Sequence, residues 1–216
     1  MINPRPYFPA ILAAYSLPGA LAGVSLVDTI LGMDLDGERP YGAVIGLPDG
    51  SLVIGFAGTR TGPEWVEDFE AEQVQTPLGG VSYGIWCTYS TLRTASGVPL
   101  ATYAKAKVGG HSRGGPLAAL WAVEYGSPEW CVFNSPRLLA SDVLSKLACI
   151  AGAQQQVIGD LVSLLASFYP GFPFVNKVDA PGLGDLVYHH SFSTCMAACC
   201  PGPTVQTVVS SLPPSP

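Results

Sequence analysis

The stretch "KVGGHSRGGPLAALWA", Lys107 to Ala122, constrains the fold of this 216-residue chain more than any other. It holds a serine between two glycines, in the pattern Gly-x-Ser-x-Gly, with Ser112 at its centre. The preceding "YAKAKVG" alternates apolar and polar side chains as a half-buried strand does, and the following residues have helical spacing. A strand, a sharp turn and a helix form a nucleophile elbow, which exposes the serine hydroxyl and frees the next backbone N–H. We therefore predict that Ser112 is a nucleophile.

The same pattern occurs a second time, in "GVSYG" around Ser82. The residues before Ser82, "QTPLGG", are typical of a loop, because proline and glycine pairs interrupt regular structure. An elbow needs a strand at that place. We therefore interpret Ser82 as a packing residue without a catalytic role.

The remaining segments predict strands that alternate with helices. In "YGAVIGLPDGSLVIGFAG" two apolar runs, 41–47 and 51–56, flank a Pro-Asp-Gly turn and predict a hairpin. Further strands are predicted for "WCVFN" and "FPFVNKV", a short helix for Pro9 to Tyr15, and an amphipathic helix for "QQQVIGDLVSLLASF". This order predicts an α/β fold, a mostly parallel central sheet flanked by helices.

The length of the chain suits one domain, which at this size can bury roughly 70% of the unfolded surface. We predict that residues 1–205 form this domain. Residues 206–216, "QTVVSSLPPSP", are predicted to be a proline-rich tail, since proline cannot join a sheet ladder or a helix interior.

Composition excludes several classes of partner. The net charge of −6 and the 12% of charged residues argue against nucleic acid. No apolar run reaches the 18 residues that would span a bilayer, so we expect no stable membrane insertion. Pro9 and Pro18 interrupt the amino-terminal apolar run, which argues against a signal peptide and favours a cytoplasmic location. Secretion by another route, or after removal of a leader, stays open.

The six cysteines show no paired Cys-x-x-Cys spacing of the kind that zinc sites use. In "CMAACC", Cys195 and Cys199 share one helical face, where small buried thiols are the ordinary interpretation. We expect no metal and no cofactor, and the sequence does not predict the oligomeric state.

A serine nucleophile needs a histidine to accept its proton and a carboxylate to orient that histidine. His111 is adjacent to Ser112, and its side chain leaves the elbow in another direction, so we interpret it as a packed turn residue. The base is therefore His189 or His190, both in "DLVYHHSF", late in the chain as the order Ser, Asp, His requires.

Three aspartates are candidates for the carboxylate. Asp179 follows the predicted strand "FPFVNKV", at the end where a parallel sheet presents functional side chains, and is favoured. Asp185 is the alternative, although it lies only four or five residues before the histidines. Asp160 lies within the predicted amphipathic helix and is interpreted as a solvated surface charge.

Between residues 41 and 191, four segments resemble the class 3 lipases, the fungal triacylglycerol lipase and feruloyl esterase group of the α/β-hydrolase superfamily. "LVIGFAGTRTGPEWVEDF" resembles that family's F-R-G-T followed by D/E-W-x-x-D, and "GGHSRGGPLAALWA" resembles G-H-S-L-G-G-A-L-A. "FNSPRL" is similar to G-S-P-R, and "VNKVDAPGLGDLVYHHS" to N-x-x-D-x-V-P-x-L-P followed by Y-x-H. The resemblance implies an α/β-hydrolase fold and a serine carboxylic ester hydrolase that forms an acyl-enzyme.

Carried over by position, the resemblance makes Ser112 the nucleophile, Asp179 the carboxylate and His190 the base. Thr59 and the backbone N–H of Arg113 would form the oxyanion hole. Asp68 would support the hydroxyl of Thr59. The family's activity requires no cofactor.

The sequence departs from the family pattern in three places. Ala57 stands where the family has an arginine. Arg113 replaces a leucine, and we expect it to place a cation near the mouth of the site. The short span from Asp179 to His190 is closer to that of cutinases, so the lid and acyl site that the fungal lipases build there are expected to be missing.

The segment after Thr59 bears on the substrate. "GPEWVEDFEAEQ" carries five carboxylates, whereas a lid that opens onto oil needs an apolar face. This favours an esterase acting on short or medium acyl esters, small molecules or lipids, with "LVSLLASFYPGFPF" as the wall of the acyl pocket. The alternatives are a thioesterase or polyester depolymerase with the same triad, or a non-catalytic binding module on this fold.

Overall fold

The computed structural model describes residues 2–16, 23–34, 37–60, 72–157, 170–178, 196 and 199. The α-helices of these ranges are α1 (Phe8–Ala14), α2 (Tyr83–Ser90), α3 (Gly114–Tyr125) and α4 (Ser141–Leu147). The strands are β1 (Ser25–Asp34), β2 (Gly37–Gly46), β3 (Leu52–Phe56), β4 (Gln73–Thr76), β5 (Gly79–Ser82), β6 (Arg93–Thr94), β7 (Lys107–His111), β8 (Glu129–Phe133), β9 (Ala151–Val157) and β10 (Val175–Val178).

Eight of these strands form the central sheet, in the order β10-β9-β8-β7-β3-β2-β1-β6. The five strands from β10 to β3 pair in parallel, and the three at the other edge pair antiparallel. The predicted α/β architecture with a mostly parallel sheet is confirmed. The carboxyl-terminal ends of the five parallel strands lie side by side at one end of the sheet, and we call this end the carboxyl edge.

Two hydrophobic clusters cover the two faces of this sheet. Successive residues of a strand point to opposite faces, and Val53 and Ile54 of β3 belong to different clusters, as do Val132 and Phe133 of β8. One cluster includes residues of α3 and α4, and the other includes residues of α1. The sheet is therefore covered by helices on both faces, which leaves its carboxyl edge for function.

Several predicted elements are confirmed. β2 and β3 form the predicted hairpin, and its turn contains Gly50 at φ +81°. The helix predicted for Pro9 to Tyr15 is α1. The helix after Ser112 is α3, and "WCVFN" falls on β8. These elements have strong local signals, a repeating apolar pattern or a turn sequence.

The strand before Ser112 is shorter than predicted. Leu100–Tyr103 is a 3₁₀ turn, and the N–H groups of Ala104 and Ala106 each bond to the carbonyl three residues earlier. β7 begins only at Lys107, and four of its five residues are buried. The prediction of a half-buried strand is wrong because β7 lies inside a parallel sheet whose two faces are both covered.

The helix predicted from Gln154 is wrong where it can be compared with the structure. Gln154 to Val157 belong to β9, which pairs with β8 and β10. The Gln154 Nε2 group donates to the Ser135 carbonyl at 3.2 Å, and Asn134 Oδ1 accepts the Val157 N–H at 2.9 Å. Buried glutamines satisfied by distant partners leave no local signal, so the sequence pattern failed here.

The predicted strand "FPFVNKV" is confirmed only for Val175–Val178, because Phe172 to Phe174 are not in a strand. The predicted helix beyond Val157 and the proline-rich tail lie outside the described residues. No described helix has the length and apolar character needed to cross a membrane.

Asp28 anchors the outer antiparallel part of the sheet. It is 6% exposed and lies at an irregularity in β1. Its carboxylate accepts hydrogen bonds from Thr29 N at 2.8 Å, from Tyr103 Oη at 2.9 Å, and from the N–H and hydroxyl of Ser96. Burial opposes ionisation of Asp28, but the hydrogen bonds from Ser96, Tyr103 and Thr29 outweigh it and lower its pKa.

We expect Asp28→Asn to lower the free energy of unfolding by about 2 kcal/mol at pH 7, because hydrogen bonds to a charged group are lost. A depressed folded-state pKa stabilises the protein above the unfolded pKa, near 3.9, and this contribution disappears as pH falls through the folded-state pKa. The difference from wild type should therefore shrink below pH 4. Urea unfolding of both proteins at several pH values measures this difference in unfolding free energy.

Glu38→Gln is the matched control, since it makes the same change of carboxylate to amide in an exposed ion pair. Glu38 binds Arg93 at 2.6 Å with both side chains more than a third exposed. A surface pair contributes at most about 1 kcal/mol. Equal losses in the two variants would show that Asp28 does not anchor the sheet.

Candidate active site

Ser112 occupies a sharp turn between β7 and α3. β7 ends at His111, α3 begins at Gly114, and Ser112 has φ +51°. Its N–H donates to the Phe133 carbonyl at 2.9 Å, and its own carbonyl accepts the Gly115 N–H at 2.8 Å. A left-handed conformation is uncommon for a residue other than glycine. Ser112 therefore has the strand–turn–helix surroundings and the strained backbone that a nucleophile elbow requires.

The flanking glycines allow backbone to pack on backbone at this turn. A Cβ on Gly110 would lie 2.0 Å from the Gly114 carbonyl oxygen. A Cβ on Gly114 would lie 2.4 Å from the carbonyl oxygen of Phe56, at the end of β3. The pattern Gly-x-Ser-x-Gly at this position thus has a steric cause.

Ser82 has more regular surroundings than the sequence indicated. It ends β5, and α2 begins at the next residue, so it too stands between a strand and a helix. The prediction of a loop before Ser82 is wrong, because β5 pairs with β4 and its Gly80 N–H donates to the Asp142 carboxylate. Ser82 nevertheless has φ −63° and ψ 144°, an ordinary extended conformation. Backbone conformation separates the two serines.

The loop after β3 touches the elbow. A Cβ on Gly58 would lie 2.7 Å from Ser112 Cβ and 2.9 Å from the His111 carbonyl oxygen. Thr59 is the next residue along the chain. The structure therefore brings Ser112, Arg113 and the Gly58–Thr59 loop together at the carboxyl edge.

The side chain of Arg113 does not lie where the sequence suggested. It is 1% exposed, and its Nη2 donates to Thr88 Oγ1 at 2.7 Å and to the Gly84 carbonyl at 3.4 Å. The expectation of a cation at the mouth of the site is wrong, because α2 supplies acceptors in the interior. The backbone of Arg113 still directly follows Ser112, at the N-cap of α3.

Tyr41 contacts two arginines beside the site. The guanidinium carbons of Arg60 and Arg113 each lie 5.6 Å from the centre of its ring. Ala57, where the resembled family has an arginine, is buried in a cluster with Ala14 and Ala43. The Ala57 N–H donates to the Tyr41 carbonyl at 2.9 Å, so Tyr41 contacts both this position and the two arginines.

His111 is packed, as expected, but it is the last residue of β7 instead of a turn residue, and it is hydrogen-bonded. It is 5% exposed, and its Nδ1 lies 2.7 Å from the hydroxyl of Tyr15, just after α1. The same hydroxyl accepts the Gly58 N–H at 2.7 Å. The sequence analysis missed Tyr15, because it is 96 positions from His111 and belongs to no motif.

Asp179, His190 and Asp68 lie outside the described residues, as do His189, Asp185 and Asp160. Their roles stay predictions. The strands that precede two of the aspartates are described: β10 ends at Val178, directly before Asp179, and β9 ends three positions before Asp160. Among the described residues, no group of three or more His, Cys, Asp or Glu side chains could hold a metal ion.

No protein-family model matches the chain, and comparison with curated protein sequences finds no match. Solved structures do match. A triacylglycerol lipase whose catalytic centre is a serine protease triad superposes with a TM-score of 0.61 at 18% identity, covering 83% of this chain and 80% of that one. A fungal lipase in an inhibitor complex gives 0.60 at 20% identity, covering 82% and 78%.

A triacylglycerol lipase from Penicillium expansum gives a TM-score of 0.55 at 16% identity, covering 83% of this chain and 79% of that one. The chain therefore has the α/β-hydrolase fold. Within that fold, its architecture is that of the triacylglycerol lipases just named. Identities this low establish the shared fold, and the chemistry of this chain has to be argued from its own residues.

Proposed function

We propose that the chain is a serine carboxylic ester hydrolase that works through an acyl-enzyme. The observation that carries the proposal is the left-handed backbone of Ser112 at the carboxyl edge, with the Gly58–Thr59 loop against its Cβ. The fold supports it, since the lipases of similar structure include one with a serine protease triad.

The reaction has two steps. The Ser112 Oγ attacks the ester carbonyl while a histidine, His190 in our proposal, accepts the hydroxyl proton and passes it to the leaving alcohol. Water then attacks the acyl-enzyme, the same histidine accepts one proton of that water, and the carboxylic acid leaves as Ser112 regains its proton. The histidine must be neutral to accept a proton, and no cofactor takes part.

The negative charge on the carbonyl oxygen would be stabilised by the backbone N–H groups of Thr59 and Arg113. Backbone donors fixed in place stabilise the transition state because they need no reorganisation during the reaction, and one such donor is typically worth about 10²- to 10³-fold in kcat. The contact of Gly58 with Ser112 supports this pairing of loop and elbow. In this proposal Asp68 supports the Thr59 hydroxyl.

Two aspartates are proposed for the carboxylate of the triad. The family resemblance implies Asp179, whereas the order of the strands in the sheet favours Asp160. β9 lies two strands from β7, and β10 lies three strands from it. Neighbouring strands are about 4.8 Å apart, so β9 and β10 are roughly 10 and 14 Å from the nucleophile strand. Two hydrogen bonds and one imidazole ring span roughly 7 to 8 Å between the serine and carboxylate oxygens.

This geometry favours Asp160. Asp179 directly follows Val178, so its Cα is held within about 3.8 Å of the more distant strand. Asp160 lies three positions along the chain from Val157, which is the last residue of the nearer strand. The helical pattern that interprets Asp160 as a surface charge is wrong for Gln154 to Val157, which lie in β9. The reason for excluding Asp160 has therefore weakened.

We propose short and medium acyl esters as substrates, because the segment after Thr59 is acidic. Burying its carboxylates against an oil surface would cost several kcal/mol unless they were neutralised or turned away. Of these five residues Glu72 is described, and it is exposed. The others lie outside the described residues, so the argument rests on their sequence.

A series of p-nitrophenyl esters from acetate to palmitate tests the proposal. We expect kcat/KM to fall beyond medium chain length and to show no jump when the substrate exceeds its solubility. A best rate on long-chain triglyceride, with a sharp rise in rate at the onset of emulsion, would contradict the proposed substrate class. It would still agree with an ester hydrolase.

A fluorophosphonate probe tests the chemistry without knowledge of the substrate. Labelling at Ser112 of the folded protein is expected, and peptide mapping identifies the site. No labelling and no ester hydrolysis would favour a non-catalytic binding module. Labelling with activity only on thioesters or polyesters would redirect the proposal to those substrates.

A further inference from the structure

The hydroxyl of Tyr15 joins two segments of the proposed site that are far apart in sequence. It accepts the Gly58 N–H at 2.7 Å and lies 2.7 Å from His111 Nδ1. Gly58 directly precedes Thr59, and His111 directly precedes Ser112. One phenol oxygen thus contacts both chain segments that carry the proposed oxyanion-hole residues.

The direction of the bond between Tyr15 and His111 depends on which ring nitrogen of His111 carries the proton. A phenol has one proton, and its oxygen already accepts the Gly58 N–H. The hydroxyl can donate that proton to His111 Nδ1 if this nitrogen carries none, so that a neutral His111 has its proton on Nε2. The direction is then Gly58 N–H to Tyr15 O–H to His111 Nδ1.

Packing makes the contact sensitive to small displacements. A Cβ on Gly58 would lie 2.7 Å from both Ser112 Cβ and the Tyr15 hydroxyl, so there is no space between the loop and the elbow. Holding the Gly58 N–H fixes the backbone that leads to the Thr59 N–H. A displacement of 1 Å from productive geometry can cost about 10²-fold in rate.

We infer that Tyr15 is a positioning residue that holds the Gly58–Thr59 loop against the elbow, so that the Thr59 and Arg113 N–H groups meet at one oxyanion. The inference rests on the proposed hydrolase function. Tyr15 acts through Gly58 and His111 and does not itself touch the reacting atoms. The sequence motifs and the structural comparisons do not assign this role.

Tyr15→Phe is the test, and Tyr7→Phe is its matched control. Tyr7 directly precedes α1, whereas Tyr15 directly follows it. The Tyr7 hydroxyl bonds to Glu129, which lies at the opposite end of β8 from the site. We expect Tyr15→Phe to lower kcat about 10- to 100-fold with KM within twofold of wild type. Tyr7→Phe should leave both constants within twofold, although it also loses a partly buried hydrogen bond, one where Tyr15→Phe loses two, and some thermal stability.

Affinity for phenylboronic acid provides a readout that a purely structural role would not change. This acid adds to a serine as a tetrahedral anion, so it occupies the oxyanion hole. Its Kd should rise in Tyr15→Phe by the factor by which kcat falls, and stay constant in Tyr7→Phe. Equal stability losses with unchanged kcat and unchanged boronate affinity in both variants would overturn the inference.

Two further measurements keep the inference testable. If Tyr15→Phe fails to fold, His111→Leu removes the same hydrogen bond by deleting the partner of the Tyr15 hydroxyl. Unchanged kcat and boronate affinity in His111→Leu would overturn the inference. ¹⁵N spectra of the wild-type protein at neutral pH should show His111 Nδ1 unprotonated, and a protonated Nδ1 would overturn the assigned direction. A wild type that neither reacts with the probe nor hydrolyses esters would remove the proposed function, whereas the histidine spectrum would still report on the hydrogen bonds.

Discussion

Ser112→Ala is expected to lower kcat by at least ~10³-fold on any ester that the wild type hydrolyses, because the change removes the proposed nucleophile. The substituted Cβ stays, so the turn keeps its packing against Gly58 and its φ of +51°. Circular dichroism and thermal unfolding should match the wild type. Steady-state hydrolysis of a soluble p-nitrophenyl ester measures the loss, and the fluorophosphonate probe should no longer label the protein.

Ser82→Ala is the matched control, since Ser82 is also buried and also stands between a strand and a helix. Its extended backbone gives the hydroxyl no elbow geometry, so kcat should stay within a few-fold of wild type. An inactive Ser82→Ala beside an active Ser112→Ala would show that the wrong serine has been assigned.

Asp160→Asn is expected to lower kcat about 10³- to 10⁴-fold if this residue holds the catalytic histidine, because an amide stabilises the wrong tautomer of the imidazole. Asp179→Asn should then lower kcat less than tenfold. The change keeps the volume of the side chain but replaces one acceptor oxygen by an NH2 donor, so it tests the charge and the acceptor role of each carboxylate without changing its size. Both variants are measured with the same soluble ester, after their folding is checked by circular dichroism.

Asp185→Asn completes the series, as the remaining aspartate considered for the triad. A large loss in Asp179→Asn alone would restore the assignment implied by the family resemblance and show that the strand-spacing argument is wrong. A large loss in Asp185→Asn alone would mean that a carboxylate close in sequence to the histidines reaches back to them.

The sequence predicted those parts of the fold whose signals are local. The hairpin of β2 and β3, helix α3 and strand β8 were predicted because a turn sequence or an apolar repeat marks each of them. The elbow at Ser112 was predicted because close backbone packing requires its glycines, and glycines are visible in a sequence.

Features that depend on distant partners could not be predicted. The glutamines of β9 matched a helical pattern, and their pairing with two neighbouring strands decided otherwise. The guanidinium of Arg113 found acceptors on α2, and Tyr15 found its partners 43 and 96 positions away. Ser82 shows a related limit, because the strand before it was predicted to be a loop and its φ angle leaves no signal in the sequence.

The left-handed backbone of Ser112 sets catalysis against thermodynamic stability. A residue with a Cβ in that conformation typically stores about 1 to 3 kcal/mol, which glycine would relieve. Asn134, at the end of the neighbouring strand, has φ +46° and adds a second such position beside the first. A more heat-resistant molecule could therefore be made by substituting glycine for the residue on which the proposed chemistry depends. An engineer who screened this protein for melting temperature alone would select against its proposed activity.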